Sequence, residues 1–144
     1  MTIEEYLETS YWVIDILPKQ VPENSSGQYF RVEEYYRCHP QTNAIYNKFT
    51  NILLKYNCYD DIDVSSDGEN WMTNPAPKDL EAMIRQCESD KTMLYVILKS
   101  SETMITISDD DTYITVYHPS EEAIELLSSL AASEGLFAWK PEQK

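Results

Sequence analysis

The chain has 144 residues, 25 Asp and Glu against 11 Lys and Arg, and a formal charge of −14, yet it is 42% hydrophobic and 12% aromatic. Acidic disordered segments are poor in rings and apolar side chains, so this composition describes a folded domain with an anionic surface, one that repels nucleic acid and anionic membranes. Its longest apolar run, Met93–Leu98, is six residues, where a membrane-spanning helix needs about 20.

Thr2-Ile3-Glu4-Glu5 has the form of a capping box, with Thr2 as N-cap, and predicts a short helix to about Glu8. Tyr11-Trp12-Val13-Ile14-Asp15-Ile16-Leu17 is aromatic and β-branched and predicts a strand, closed by Pro18 and Pro22. The segment from Pro22 to Gly27 is loop by composition. Gln28–Arg37 suits two readings. Phe30, Glu33, Glu34 and Arg37 fit a helix, with Glu33 and Arg37 placed for an i,i+4 pair, while Tyr29, Phe30, Val32, Tyr35 and Tyr36 also fit a strand; a helix is expected. After Pro40, the recurrence of Ile45, Phe49, Ile52, Leu53 and Tyr56 predicts a helix over Thr42–Tyr56. The alternation around Ile62 and Val64, followed by Asp67-Gly68 and then Glu69–Thr73, predicts a hairpin with a type I′ turn. Pro77 fits the first turn of a helix whose buried face is Leu80, Met83, Ile84 and Cys87, ending near Ser89.

Lys91–Lys99, Glu102–Ser108 and Thr112–His118 are β-rich, and the links between them, Ser100-Ser101 and Asp109-Asp110-Asp111, are too short for parallel crossovers. They predict an antiparallel meander over residues 91–118. The first run is apolar at successive positions and is expected to be the doubly covered central strand. Ser120 with Glu121 and Glu122 begins a helix with Ala123, Ile124, Leu127, Leu130 and Ala131 inside and Gly135 beyond its end. Leu136–Trp139 is expected to add an edge strand. The fold class is α+β, a single domain over 1–144 with the meander packed against several helices. Trp12, Phe30, Phe49 and Tyr95 are expected in the core. Three cysteines (Cys38, Cys58, Cys87), few and widely spaced, read as buried thiols in a reducing compartment. The first residues show no basic and apolar leader, so a cytoplasmic location is expected.

No pattern carries catalysis. Structural zinc wants closely paired ligands, and Cys38-His39 has no second pair. A calcium frame starting at Asp63 places Ser65, Asp67 and Gly68 correctly but ends on Asn74, not the bidentate Glu; a hairpin with a solvated acidic edge is the preferred reading. His39 and His118 have no identifiable nucleophile or orienting group. The paired carboxylates (Glu4/Glu5, Glu33/Glu34, Asp60/Asp61, Asp109–Asp111, Glu121/Glu122) mostly fall at turns and helix starts, where solvent keeps them ordinary. Three glycines give no phosphate-cradling loop. No metal, cofactor or catalytic residue is therefore expected, and the protein is expected not to be an enzyme.

The rings remain. Tyr and Trp anchor interfaces, and beside carboxylates they meet Lys and Arg through both charge and π faces. The expected partner-binding set is Glu33, Glu34, Tyr35, Tyr36, Tyr59, Asp60, Asp61, Asp63 and Trp71, facing a basic protein partner. With Tyr11-Trp12-Val13-Ile14-Asp15-Ile16-Leu17-Pro18 and Gly135-Leu136-Phe137-Ala138-Trp139-Lys140-Pro141, the small acidic α+β chain resembles the cytoplasmic immunity proteins of bacterial polymorphic and contact-dependent toxin systems. That resemblance implies binding to one cognate toxin, often a nuclease with a basic cleft. The alternatives are a DNA mimic of the antirestriction type, with carboxylates at phosphate-like spacing, and an enzyme. An enzyme requires a deep cavity with convergent polar groups and a perturbed carboxylate or His.

Overall fold

The computed structural model describes residues 1–38, 45–108 and 112–142. Among these are five α-helices, α1 (Ile3–Leu7), α2 (Ser26–Cys38), α3 (Ile45–Asn57), α4 (Pro77–Asp90) and α5 (Glu121–Ser133). The strands are β1 (Tyr11–Asp15), β2 (Ile62–Ser65), β3 (Met72–Thr73), β4 (Met93–Leu98), β5 (Thr103–Ser108), β6 (Tyr113–Tyr117) and β7 (Phe137–Trp139). They form one sheet in the order β3-β2-β4-β5-β6-β1-β7, antiparallel at every pairing. The chain is an α+β domain. The expected meander is β4-β5-β6, and the expected edge strand is β7, paired with β1. No helix among the described residues is long and apolar enough to cross a membrane.

Side-chain alternation sets the two faces of the sheet. Ile14, Ile114, Ile105, Val96, Leu94, Val64 and Ile62 face α3, α4 and α5, and together with Phe49, Ile52, Leu53, Leu80, Ile84 and Leu127 they form a continuous core. The helices are placed there by their periodic apolar stripes. α3 packs on both α4 and α5. Caps fix the ends: the Thr2 hydroxyl accepts from the Glu5 N–H at 3.2 Å, the Ser120 hydroxyl accepts from the Ala123 N–H at 3.1 Å, and Pro77 sits in the first turn of α4.

The opposite, outer face carries α1, with Tyr6 3% exposed, and the polypeptide of residues 16–25 leading into α2. This arrangement corrects the expected central strand. β4 is apolar in sequence, but its burial alternates. β5 is the doubly covered strand, because it lies in the middle of the sheet with the helix layer on one side and α1 on the other. Its threonines Thr103 and Thr106 are buried there along with its apolar residues.

Other expectations change similarly. The β2–β3 connection spans 66–71, because Val64 pairs with Met72, so Asp67-Gly68 is not a two-residue type I′ turn. Only Gly68 of the two has positive φ, +78°. Asp67 instead organises the loop: Oδ1 accepts from the Glu69 and Asn70 N–H groups at 2.8 Å each, and Oδ2 from the Asn70 amide at 2.7 Å. A Cβ at Gly68 would lie 2.9 Å from Ile3 Cδ1, a side-chain end that can shift, so it is the positive φ that demands glycine. Gly68→Ala is expected to lower stability by about 1–2 kcal/mol in urea unfolding. Phe30 is 63% exposed, not a core residue. Of the cysteines only Cys87 is buried; Cys38 and Cys58 are exposed. The Thr42 start of α3, His39, Pro40 and the Asp109–Asp111 link lie outside the described residues, as does the Arg37 side chain of the expected Glu33–Arg37 pair.

Candidate functional site

The nine expected interface residues fall into two separate groups. Glu33, Glu34, Tyr35 and Tyr36 lie on α2, outside the β1 side of the sheet; the Glu33 carboxylate is taken up by the Tyr29 phenol, which donates to Oε2 at 3.3 Å. Tyr59, Asp60, Asp61, Asp63 and Trp71 lie along the β2–β3 edge. Four strand spacings separate β2 from β1, roughly 19 Å, so one continuous patch does not form. α2 itself has no buried side chain among its described residues, and it exposes Phe30, Val32 and Tyr35. Its two acids and one described base make it an apolar face more than an anionic one.

The edge carboxylates are engaged by local structure. Asp63 Oδ1 accepts from the Thr73 hydroxyl at 2.6 Å, with Lys99 Nζ 3.5 Å from Oδ2. Asp61 Oδ1 accepts from the Asn74 amide at 2.9 Å, while Asn74 Oδ1 receives the Ile62 N–H at 3.0 Å. Asp63, Asp67 and Asn74, the ends and middle of the calcium frame, thus point at different partners. Backbone and side-chain N–H groups of Asn70, then the Glu69 N–H and the Ser65 hydroxyl, hold the Asp67 carboxyl far below the usual range. Among the described residues no group of three or more His, Cys, Asp or Glu converges to hold a metal ion.

Two of the concave sites among the described residues join aromatic rings to carboxylates. The first is a shallow groove of about 690 Å³ between the C-terminal end of α3, the β4–β5 turn and the start of α5. Tyr56 and Tyr59 supply rings, the latter 72% exposed, and Asp60, Glu121 and Glu122 supply charge; no Lys or Arg lines it. Asp60 is fixed by the β4–β5 turn: its Oδ1 receives the Ser100 hydroxyl at 2.6 Å and its Oδ2 the Ser100 N–H at 3.1 Å. Glu121 and Glu122 project there because Ser120 caps α5 immediately before them. The helix N-terminus offsets part of that charge, about half an elementary charge, against three carboxylates. Sequence reasoning found Tyr59 and Asp60, and noted Glu121 and Glu122 as a helix start. It did not join them, since only the α3–α5 packing does so.

The second is a cavity of about 420 Å³ on the outer face, over β1 and β6 and under the approach to α2. Tyr11 and Tyr117 stand side by side across the strands, ring centroids 5.8 Å apart. Tyr113, Tyr29 and Trp139 continue the wall, and Trp139 is pinned by its indole N–H donating to the Leu17 carbonyl at 3.0 Å. Asp15 also lines it, 4% exposed. Its Oδ1 accepts from the Ile16 N–H at 2.7 Å, and the Leu17 N–H also favours its anion. Burial outweighs both donors, and with the nearby Glu33 it raises the Asp15 carboxyl from 3.8 to about 6. Burial, then Glu33 and Asp15, push the Tyr29 phenol up to about 12. The buried Thr112 hydroxyl stands beside that phenol without reaching hydrogen-bond geometry. Sequence reasoning missed Asp15. The signal was a single charge inside an otherwise apolar strand.

His118 is exposed, with Nδ1 3.2 Å from the Glu102 carbonyl oxygen. Compared with known proteins, the chain matches no family profile, no curated sequence and no solved structure.

Proposed function

We propose that the protein is a non-catalytic, acidic protein-binding domain that docks a basic partner, and that its biological role is that of an immunity-type inhibitor occupying the cationic cleft of a nuclease-like toxin. The observation that carries this is the groove of Tyr56, Tyr59, Asp60, Glu121 and Glu122, which joins the exposed Tyr59 ring, backed by the buried Tyr56, to three carboxylates with no Lys or Arg in its lining. A cleft built for phosphates presents Lys and Arg, and those side chains find both a counter-ion and a π face here. The overall charge of −14 speeds the encounter, and the rings slow the release.

The test reverses the groove. Asp60→Lys, Glu121→Lys and Glu122→Lys together change the charge by six; a control reverses the exposed Glu8, Glu69 and Asp90 and changes it equally. Affinity capture from source-cell lysate, with the recovered partner's binding then measured at low and high salt, is expected to show a loss of at least about 10-fold for the groove variant and a far smaller loss for the control. Equal losses, or binding that salt does not weaken, would remove the groove from the argument. Competition with DNA for several unrelated DNA-binding proteins would instead support the DNA mimic. A second reading, an enzyme, has the Asp15 cavity in its favour, since a buried carboxyl with raised pKa is the form a general acid takes.

A further inference from the structure

The Asp15 cavity has a feature that fold stability does not account for. Asp15 is nine-tenths buried on a strand, and among the described residues neither Lys nor Arg pairs with it. Burying an ionisable carboxyl without a cation is costly, and an apolar residue at this position would pack at no such cost. The cavity beside it is open to solvent, within the size range of small-molecule sites, and walled by aromatic rings. Rings attract cations through their faces, the more so when water is displaced.

We propose that this cavity binds an organic cation, an alkylammonium or guanidinium group, with Asp15 as its counter-ion and Tyr11, Tyr113, Tyr117 and Trp139 enclosing its apolar part. A bare metal ion fits poorly, because it wants several oxygen ligands and Asp15 is the single carboxylate in the lining. An anion would meet the Asp15 carboxyl and Glu33 behind Tyr29; Lys19, also on the cavity wall, is not paired with Asp15 and leaves its charge uncompensated. The cavity lies on the outer face of the sheet, away from the groove beside α3 and α5, so the two sites stand or fall separately. The cation reaches the cavity either as a free small amine or as a Lys or Arg side chain of a protein.

Isothermal titration of the full chain separates these. The probes are phenethylammonium and butylguanidinium as free cations, an Nα-acetyl-lysine amide as the side-chain source, and phenylpropanol as a neutral isostere. At least one cation is expected to saturate a single site and to bind at least about 10-fold more tightly than the isostere. NMR shifts are expected at the Trp139 indole N–H and the Val13 methyls. Asp15→Asn is expected to weaken the cation at least about 10-fold and leave the isostere unmoved; Tyr117→Leu, which keeps the carboxyl, is expected to weaken it several-fold. Tighter binding of the free amines marks a small-molecule site, and tighter binding of the blocked lysine marks a side-chain site. The proposal is overturned if no cation saturates, if phenylpropanol binds as well as the cations, or if Asp15→Asn, shown folded by its thermal transition, binds them unchanged.

Discussion

Asp15→Asn is expected to stabilise the protein by about 2 kcal/mol near pH 7 and to lose that advantage by about pH 4. The folded carboxyl titrates at about 6 where the unfolded one titrates near 3.8, a gap that corresponds to about 3 kcal/mol. Above both values the carboxyl is ionised in both states, and the folded state alone bears the cost of burying the charge. As pH falls through 6 the folded state takes up a proton that the unfolded chain does not yet hold, so stability attributable to this site rises with acidity until about pH 4. The amide has no charge to bury, and its oxygen still accepts from the Ile16 N–H, so the variant is level across this range. The groups facing Asp15 are Tyr29 and Glu33 of α2, Tyr113 opposite it on β6, and Lys19, Tyr11 and Tyr117 on the cavity wall. All of them are present in both proteins. Subtracting the urea-unfolding free energies of the two proteins at each pH cancels the other carboxylates. A difference that does not change between about pH 7 and pH 4 would mean that Asp15 titrates like an exposed carboxylate and that its burial is inconsequential. A saturating cation is expected to shrink the difference near pH 7, because it supplies the missing counter-charge.

What was legible in the sequence follows the distance over which each signal acts. Caps and periodic stripes are local, and α1, α4, α5 and the β4-β5-β6 meander are where they indicate, within a residue or two of the expected bounds, as is the end of α3, whose expected start lies outside the described residues. Strand order is not local. The sheet places β1 between β6 and β7 by pairings about a hundred residues apart in sequence, and nothing in Tyr11–Asp15 names those neighbours. The doubly covered strand was misassigned for the same reason: continuous apolarity in Met93–Leu98 is indistinguishable from burial until α1 is seen to lie over β5. The candidate sites suffered most. Tyr59 and Asp60 meet Glu121 and Glu122 only because α3 packs on α5, a contact that their sequence neighbours Asp61, Asp63 and Trp71 do not announce. Tyr113 and Tyr117 alternate with Ile114 and Val116, the pattern of a sheet with a core on one face and a ring-lined cavity on the other.

Two phenylalanines test whether α2 belongs to the core or stands apart from it. Phe49→Ala is expected to cost about 3–5 kcal/mol, and Phe30→Ala less than about 0.5 kcal/mol. The same atoms are removed in each case, so the environment alone decides. Phe49 is fully buried between the sheet and the helix layer, its ring edge-on to Tyr46 with centroids 5.8 Å apart, and Tyr46 in turn donates to the Ser108 carbonyl at 3.2 Å. Removing it opens a cavity that α3 cannot close without pulling on α4 and α5, and a domain of this size has only about 5–15 kcal/mol in hand. Phe30 touches Tyr29 on its own helix and otherwise faces solvent. Guanidinium unfolding of both variants gives the comparison directly. Near-equal losses would mean that α2 is packed as part of the cooperative core, and its exposed rings would then lose their standing as surface available to a partner. The expected inequality leaves Phe30, Val32 and Tyr35 as an apolar face whose removal leaves the fold intact, so that any effect of Phe30→Ala on partner capture reports contact and not unfolding.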